Sequence, residues 1–178
     1  MLQLESERLF LREATESDLR TLLPVYLTNR PFLLWSNLSE YDLAASQRDL
    51  KEVWQTPGRC LLGIYRKNSD EAVGVADFLE HNPADGFPWL GLLIIHGAQQ
   101  GQGLGRETYQ RLAEHFQTDR GWAILRLGVL RENRPALAFW RHLGFRPVEG
   151  DAGAVDAAAI RLERHLGAED RSRLFNHE

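Results

Sequence analysis

Ile95-His96-Gly97-Ala98-Gln99-Gln100-Gly101-Gln102-Gly103-Leu104-Gly105-Arg106-Glu107 lies past the midpoint of the chain and decides how the rest is read. An apolar strand runs into a glycine-rich turn, and the turn opens a helix. Glycines at 101, 103 and 105 remove the Cβ atoms that would keep a ligand off the backbone, so successive N–H groups can converge on one anion. Downstream, Leu104, Thr108, Leu112 and Phe116 recur at four-residue spacing with Tyr109 and Ala113 beside them, as on the buried face of an amphipathic helix. The positive N-terminal end of that helix then faces a phosphate or pyrophosphate.

Spacing separates the glycine-loop chemistries. A phosphate loop of the NTPase kind needs G-x-x-x-x-G-K-[ST], and the chain contains no Gly-Lys-Ser or Gly-Lys-Thr. A dinucleotide fingerprint needs G-x-G-x-x-G; from Gly101 the last position is Arg106, and from Gly103 it is Thr108. The residues do fit Q-x-x-G-x-G, with Gln100, Gly103 and Gly105.

A second segment, Asn133-Arg134-Pro135-Ala136-Leu137-Ala138-Phe139-Trp140-Arg141-His142-Leu143-Gly144-Phe145, follows after one helix and one strand, Ile124 to Val129. Pro135 suits a first helical turn, Leu137, Trp140 and Leu143 form a stripe, and Gly144 suits a left-handed cap. The two motifs, in this order and separation, resemble the acyl-CoA pyrophosphate loop and the later N-x-x-A-x-x-[FL]-Y-x-x-x-G-F motif of the GNAT superfamily of N-acyltransferases. The likeness is strong over residues 70 to 150. Trp140 is its one departure, standing where the motif has tyrosine.

Composition bounds the reading independently. The chain has 178 residues, with 21 Lys and Arg against 25 Asp and Glu and a net charge of −4. That length suits one domain with a substantial core, expected here over 1–166, followed by a tail over 167–178. No broad basic field for nucleic acid is evident. The charged start, Met1-Leu2-Gln3-Leu4-Glu5, and the lack of a long apolar run point to a cytoplasmic protein with no membrane partner. The single cysteine, Cys60, sits in an apolar run as a small core residue. Six scattered histidines, at 81, 96, 115, 142, 165 and 177, show no ligand spacing, so no metal is expected.

The coarse pattern alternates. Leu9 to Arg12 is a strand; Thr15 with Asp18 starts a helix running to about Leu27. Pro31 breaks the pattern, and Ser39 or a near neighbour starts a second helix through Trp54, closed by Pro57-Gly58. Strands Leu61 to Tyr65 and Ala72 to Leu79 form a hairpin around Lys67-Asn68-Ser69-Asp70. The loop His81 to Pro88 leads to strand Trp89 to Ile95. After the second motif, Pro147 to Glu149 and Val155 to Leu162 make a final antiparallel pair. This predicts an α/β (α+β mixed) fold: a central, mostly antiparallel sheet of about seven strands with helices on both faces.

The resemblance implies an acetyl-CoA-dependent transfer to a primary amine, of a small molecule, peptide or protein, by direct attack on the thioester. It implies that strand Trp89 to Ile95 splays from Ile124 to Val129 and that the pantetheine arm lies in the gap. Leu93, Ile94 and Ile95 would hydrogen-bond the arm, and an N–H there would polarise the thioester carbonyl. Gln100, Gly101, Gln102, Gly103, Leu104, Gly105 and Arg106 would hold the pyrophosphate, Asn133 would reach the pantetheine or phosphate edge, and Trp140 would pack against the thiol end. Plainer readings stand beside these. Ile94 and Ile95 suit any core, Asn133 suits a helix entry, and Arg106 suits a solvated first turn.

Family members usually protonate the departing thiolate with the tyrosine that Trp140 replaces, and an indole N–H is too weak an acid. A carboxylate on the strand before Asn133 is also absent, the matching position being Gly128. Glu80, with His81 beside it, is a base acting through water or an ordinary exposed carboxylate. Tyr26, Phe32, Trp35, Tyr41, Phe87 and Trp89 line an acceptor pocket or the core; Glu40, Asp42, Glu80 and Asp85 attract a cationic amine or face solvent. The missing acid and base leave a second reading, a non-catalytic acyl-CoA sensor. A homodimer through the C-terminal strands is compatible with the resemblance.

Overall fold

The computed structural model describes residues 1–30, 33, 41–67, 69, 71–149 and 158–167. The strands are β1 (Gln3–Glu5), β2 (Leu9–Glu13), β3 (Arg59–Arg66), β4 (Ala72–Leu79), β5 (Trp89–Ile95), β6 (Ile124–Leu130), β7 (Arg146–Pro147) and β8 (Ala159–His165). The helices are α1 (Leu19–Leu27), α2 (Leu43–Gln55), α3 (Leu104–Thr118) and α4 (Arg134–His142). The strands are hydrogen-bonded in the order β1-β2-β3-β4-β5-β6-β8-β7. Among the described residues only β5 with β6 is parallel, at the pair Trp89 and Arg126. The mixed, mostly antiparallel sheet is therefore the architecture expected, with eight strands in place of about seven. The extra one is β1, whose three residues pair with β2 through Gln3 and Arg12, Leu4 and Leu11, Glu5 and Phe10. A single buried leucine between two exposed polar residues is too short a pattern to separate from a loop.

The chain divides into two compact units. The first comprises Met1–Glu80 and Gly91–Leu112. Its helix α1 is preceded by the predicted capping device: Asp18 accepts from the Thr15 N–H at 2.8 Å and from its hydroxyl at 2.7 Å. Arg12 closes on the same carboxylate at 2.7 and 2.5 Å. Burial raises the Asp18 pKa, but these bonds from Arg12 and Thr15 prevail and bring it down to about 2. Leu19, Leu22, Val25 and Tyr26 of α1 and Ala45, Leu50 and Val53 of α2 form one apolar cluster with Leu61, Tyr65 and Val75 of the β3–β4 hairpin. Strand alternation turns Leu9, Leu11, Leu62 and Ile64 to the opposite face, and these four are fully buried. The start of α2 differs from expectation. Asp42 is the N-cap, taking the Ala45 N–H at 2.8 Å, while Ser39 lies outside the described residues.

The second unit comprises His81–Leu90 and Ala113–Glu178. Strand β6 pairs antiparallel with β8 from Ile124 opposite His165 to Leu130 opposite Ala159. The final antiparallel pair is present with different bounds. β7 is Arg146–Pro147, one residue earlier at its start and two shorter at its end than the predicted strand, and β8 runs from Ala159 to His165, three residues past the predicted end at Leu162; Val155 to Ala157 lie outside the described residues. Alternating Ile160, Leu162 and Arg164 carry that strand's pattern further than its apolar letters suggest. Helix α4 ends as predicted, with Gly144 at φ 87°. The tail 168–178 lies outside the described residues. No helix among them is long and apolar enough to cross a membrane.

Candidate functional site

Strand β5 delivers the glycine loop. After Ile95 the chain makes a short 3₁₀ turn, Gly97–Gln99, and enters α3 at Leu104. Gly101 and Gly103 hold φ of 76° and 78°, the left-handed region that L side chains rarely adopt. A Cβ on Gly101 would meet nothing within 4 Å, so the loop is open on that side. Gly103 is the N-cap, its carbonyl accepting the Glu107 N–H at 3.0 Å. The N–H groups of Leu104, Gly105 and Arg106 consequently have no carbonyl within the helix to meet. Below them Leu104, Thr108, Tyr109, Leu112 and Phe116 are buried completely, as the four-residue spacing predicts.

Side chains pin the loop. Gln100 donates from Nε2 to the Asn29 side chain at 2.9 Å and to the Ile95 carbonyl at 3.0 Å, so the motif glutamine locks the turn to the end of β5. Gln99 donates to Glu71 at 2.9 Å and accepts from Arg66 at 2.7 Å. Glu107 receives Ser6 Oγ at 2.7 Å, the Arg8 amide at 2.8 Å and Arg8 Nε at 2.6 Å. Burial raises its carboxyl pKa, yet those donors outweigh burial and leave it lowered. Arg106 is half-buried in the first helical turn. The sequence-predicted residues 100–106 are thus one continuous, N–H-rich turn at a helix start. Leu93 is half-buried, and Ile94 and Ile95 are buried within β5.

The same unit holds a cavity of about 190 Å³, lined by α1, α2, β3, β4 and β5 and including Tyr26, Tyr41, Asp49, Arg59, Asp77, Gly91 and Leu92. Tyr26 and Tyr41 stack at 4.6 Å, and the Tyr41 hydroxyl donates to Asp49 at 2.7 Å. Burial drives both phenols well above the ordinary tyrosine range. Asp77 is 7% exposed and takes Arg59 Nη2 at 2.8 Å and Nε at 3.1 Å. Its pKa is raised because burial outweighs the Arg59 guanidinium. Sequence reasoning passed over Asp77. Its signal was an acidic residue inside the apolar run Val73-Gly74-Val75-Ala76-Asp77-Phe78-Leu79, where a charge needs a partner. Glu80 follows that strand at the Gly58 turn, where its N–H donates to the Gly58 carbonyl at 2.9 Å. Glu80 is not among the residues that line the cavity. Of the predicted acceptor aromatics, Tyr26 and Tyr41 line it; Phe32 and Trp35, and the acidic Glu40, lie outside the described residues. Asp42 is occupied as a helix cap.

In the second unit Asn133 caps α4, its side-chain oxygen accepting the Ala136 N–H at 3.1 Å. The helix-entry reading of this residue is therefore realised, with the amide nitrogen as the end left to donate. Trp140 is 7% exposed and meets Phe139 and Phe145 edge-on at 4.9 and 5.2 Å. Asp85 is committed to the loop: it holds Trp89 Nε1 at 3.1 Å and Arg126 Nη1 at 3.1 Å. Arg126 also stacks on Phe87 at 3.6 Å and pairs with Glu163 at 2.9 Å. Gly128 leaves room for Trp89, whose ring would stand 3.5 Å from a Cβ there.

Comparison with known proteins agrees with this geometry. A family model described as an acetyltransferase (GNAT) domain matches residues 8–146, and the chain belongs to that family. No curated protein sequence matches it. An acetyltransferase from Thermus thermophilus superposes with a TM-score of 0.75 at 26% identity, covering 92% of this chain and 99% of that one. A Salmonella typhimurium acetyltransferase that modifies the N-terminal serine of 50S ribosomal subunit protein L7/L12 superposes at 0.71 with 20% identity, covering 90% and 96%. RimL, a ribosomal L7/L12 alpha-N-protein acetyltransferase in complex with coenzyme A, gives 0.72 at 19% identity, covering 92% and 98%. The last two likenesses are of fold. Membership of the family makes acyl transfer the general activity.

Proposed function

We propose that this chain is a cytoplasmic N-acetyltransferase that moves the acetyl group of acetyl-CoA to a primary amine, with residues 1–166 acting as one catalytic domain. The observation that carries the reading is the turn at Gln100–Arg106, with two left-handed glycines and a helix start whose N–H groups have no helical partners. In this reading the pyrophosphate binds there and the backbone of Leu93, Ile94 and Ile95 receives the pantetheine.

The acceptor amine enters the cavity beside Asp77. Its nitrogen must be neutral to attack the thioester carbon; the C–N bond forms, the C–S bond breaks, and the amine proton leaves to a base. We assign the base to Asp77, directly or through one water, in preference to Glu80, because Asp77 faces the cavity and burial raises its proton affinity. The thiolate takes its proton from solvent or from the protonated base. Trp140 fills the usual acid's position without supplying a proton. Positioning and backbone electrostatics then supply much of the acceleration.

The sensor reading draws support from Trp140, which is buried among Phe139 and Phe145. Thiol release from acetyl-CoA, followed with a panel of small amines and peptides bearing free N-termini, separates the two. Turnover with any amine supports the enzyme. Donor binding without turnover across the panel supports the sensor.

A further inference from the structure

Two arginines from distant parts of the sequence converge on one residue of the glycine loop. Arg8, in the turn between β1 and β2, donates from Nη1 to the Gln102 carbonyl at 3.1 Å. Arg66, the last residue of β3, donates from Nη2 to the Gln102 side-chain oxygen at 2.8 Å. The β2–β3 pairing brings the two together, since the Lys67 N–H donates to the Arg8 carbonyl at 2.9 Å. Gln102 lies between the two left-handed glycines, and Arg8 Nη2 stands 3.5 Å from where a Gly103 Cβ would be.

Their surroundings orient both guanidiniums toward the loop. Glu107 pairs with Arg8 at Nε, 2.6 Å away, and partly offsets its charge, while Nη1 and Nη2 face Gln102 and Gly103. Among the described residues, the side-chain oxygens holding Arg66 belong to Gln99 and Gln102, neutral amides that aim its charge without cancelling it. Backbone N–H groups provide only partial positive charge, whereas a nucleotide phosphate brings full negative charges.

We propose that Arg8 and Arg66 are phosphate-binding residues of the donor site, adding their cationic charge to that of Arg106 for the 3′-phosphate and pyrophosphate of CoA. This rests on the acetyl-CoA reading above. It makes the nucleotide end of the donor, more than its pantetheine arm, the source of affinity.

The test is calorimetric titration with CoA and 3′-dephospho-CoA, and ligand-detected NMR titration with pantetheine, on wild type, Arg8→Gln, Arg66→Gln and the two lysine variants. Each glutamine variant is expected to weaken CoA about tenfold and to leave pantetheine unchanged. The lysine variants recover part of the loss, and the dependence of CoA affinity on salt becomes shallower in the glutamine variants. Among the described residues Arg66→Gln removes side-chain bonds to glutamines alone, and it keeps the test open if Arg8→Gln unfolds. Unchanged CoA affinity in both glutamine variants overturns the proposal, as does an equal loss for CoA and pantetheine, which marks the arginines as props for the loop. Failure of wild type to bind CoA overturns the donor-site reading itself and this inference with it.

Discussion

Arg59 and Asp77 form a diagonal pair on the β3–β4 ladder: Asp77 lies opposite Leu61, Arg59 opposite Leu79, and Nη2 stands 2.8 Å from Oδ2 at the wall of the cavity. Burial raises the proton affinity of the carboxylate, and the Arg59 guanidinium opposes that rise. Asp77→Asn is expected to lower turnover by about a hundredfold and leave acetyl-CoA affinity unchanged, measured by steady-state kinetics and calorimetry. Unchanged turnover would remove Asp77 from the mechanism.

Arg59→Gln separates the two influences on that carboxylate. Without the guanidinium, burial and the neighbouring Glu52 and Asp49 carboxylates act unopposed, so the Asp77 pKa rises further and the acidic limb of the pH–rate profile moves to higher pH. Leaving the carboxylate without its partner also costs on the order of 3 kcal/mol of stability, read from urea unfolding. A pH profile that stays in place would show that Asp77 does not set it.

Trp140→Tyr restores the family's usual residue at the position where this chain departs from it. The indole is packed edge-on against Phe145 at 5.2 Å, so the smaller ring is expected to lower stability by roughly 1 kcal/mol and give no gain in turnover. Faster turnover in the variant would show that thiolate protonation limits the wild-type enzyme.

The Arg12–Asp18 bridge predicts a pH-dependent contribution to stability. Asp18 has a folded-state pKa near 2, below its ordinary value, so its contribution is fully present above that ordinary value and is lost as pH falls toward about 2. A shift of this size corresponds to about 2 kcal/mol. The difference in unfolding free energy between wild type and Asp18→Asn should be constant from about pH 5 to 7, about 2 kcal/mol, and shrink below about pH 4. A difference that does not change with pH would contradict the ion-pair account.

Local chemistry made much of this fold legible in the sequence, and long-range partnership hid the rest. Gly103 and Gly144 announce their left-handed turns because few other residues tolerate them, and Thr15 with Asp18 announces a helix start because the capping bonds are three residues apart. Asn133 was legible as a motif residue, yet only coordinates show that its oxygen is already spent on the Ala136 N–H. Asp77 went unread in its apolar strand, because the guanidinium that makes its burial tolerable comes from another strand. Arg8 and Glu107 are 99 positions apart, and nothing in either's neighbourhood signals the other. Trp140 was visible as a departure from the family pattern, while its packing partner Phe145 lies beyond the end of the helix that carries it.

The most direct measurement is a pair of calorimetric titrations with acetyl-CoA, one on wild type and one on Gly103→Asp, with ATP run in parallel. The substitution puts a side chain where φ is 78° and a negative charge at the N-terminal turn of α3. Wild type should bind acetyl-CoA and not ATP, and the variant should lose acetyl-CoA binding by about a hundredfold or more while remaining folded. Equal affinity in the two proteins, or tighter binding of ATP than of acetyl-CoA, would contradict the assignment of Gln100–Arg106 as the donor's pyrophosphate site.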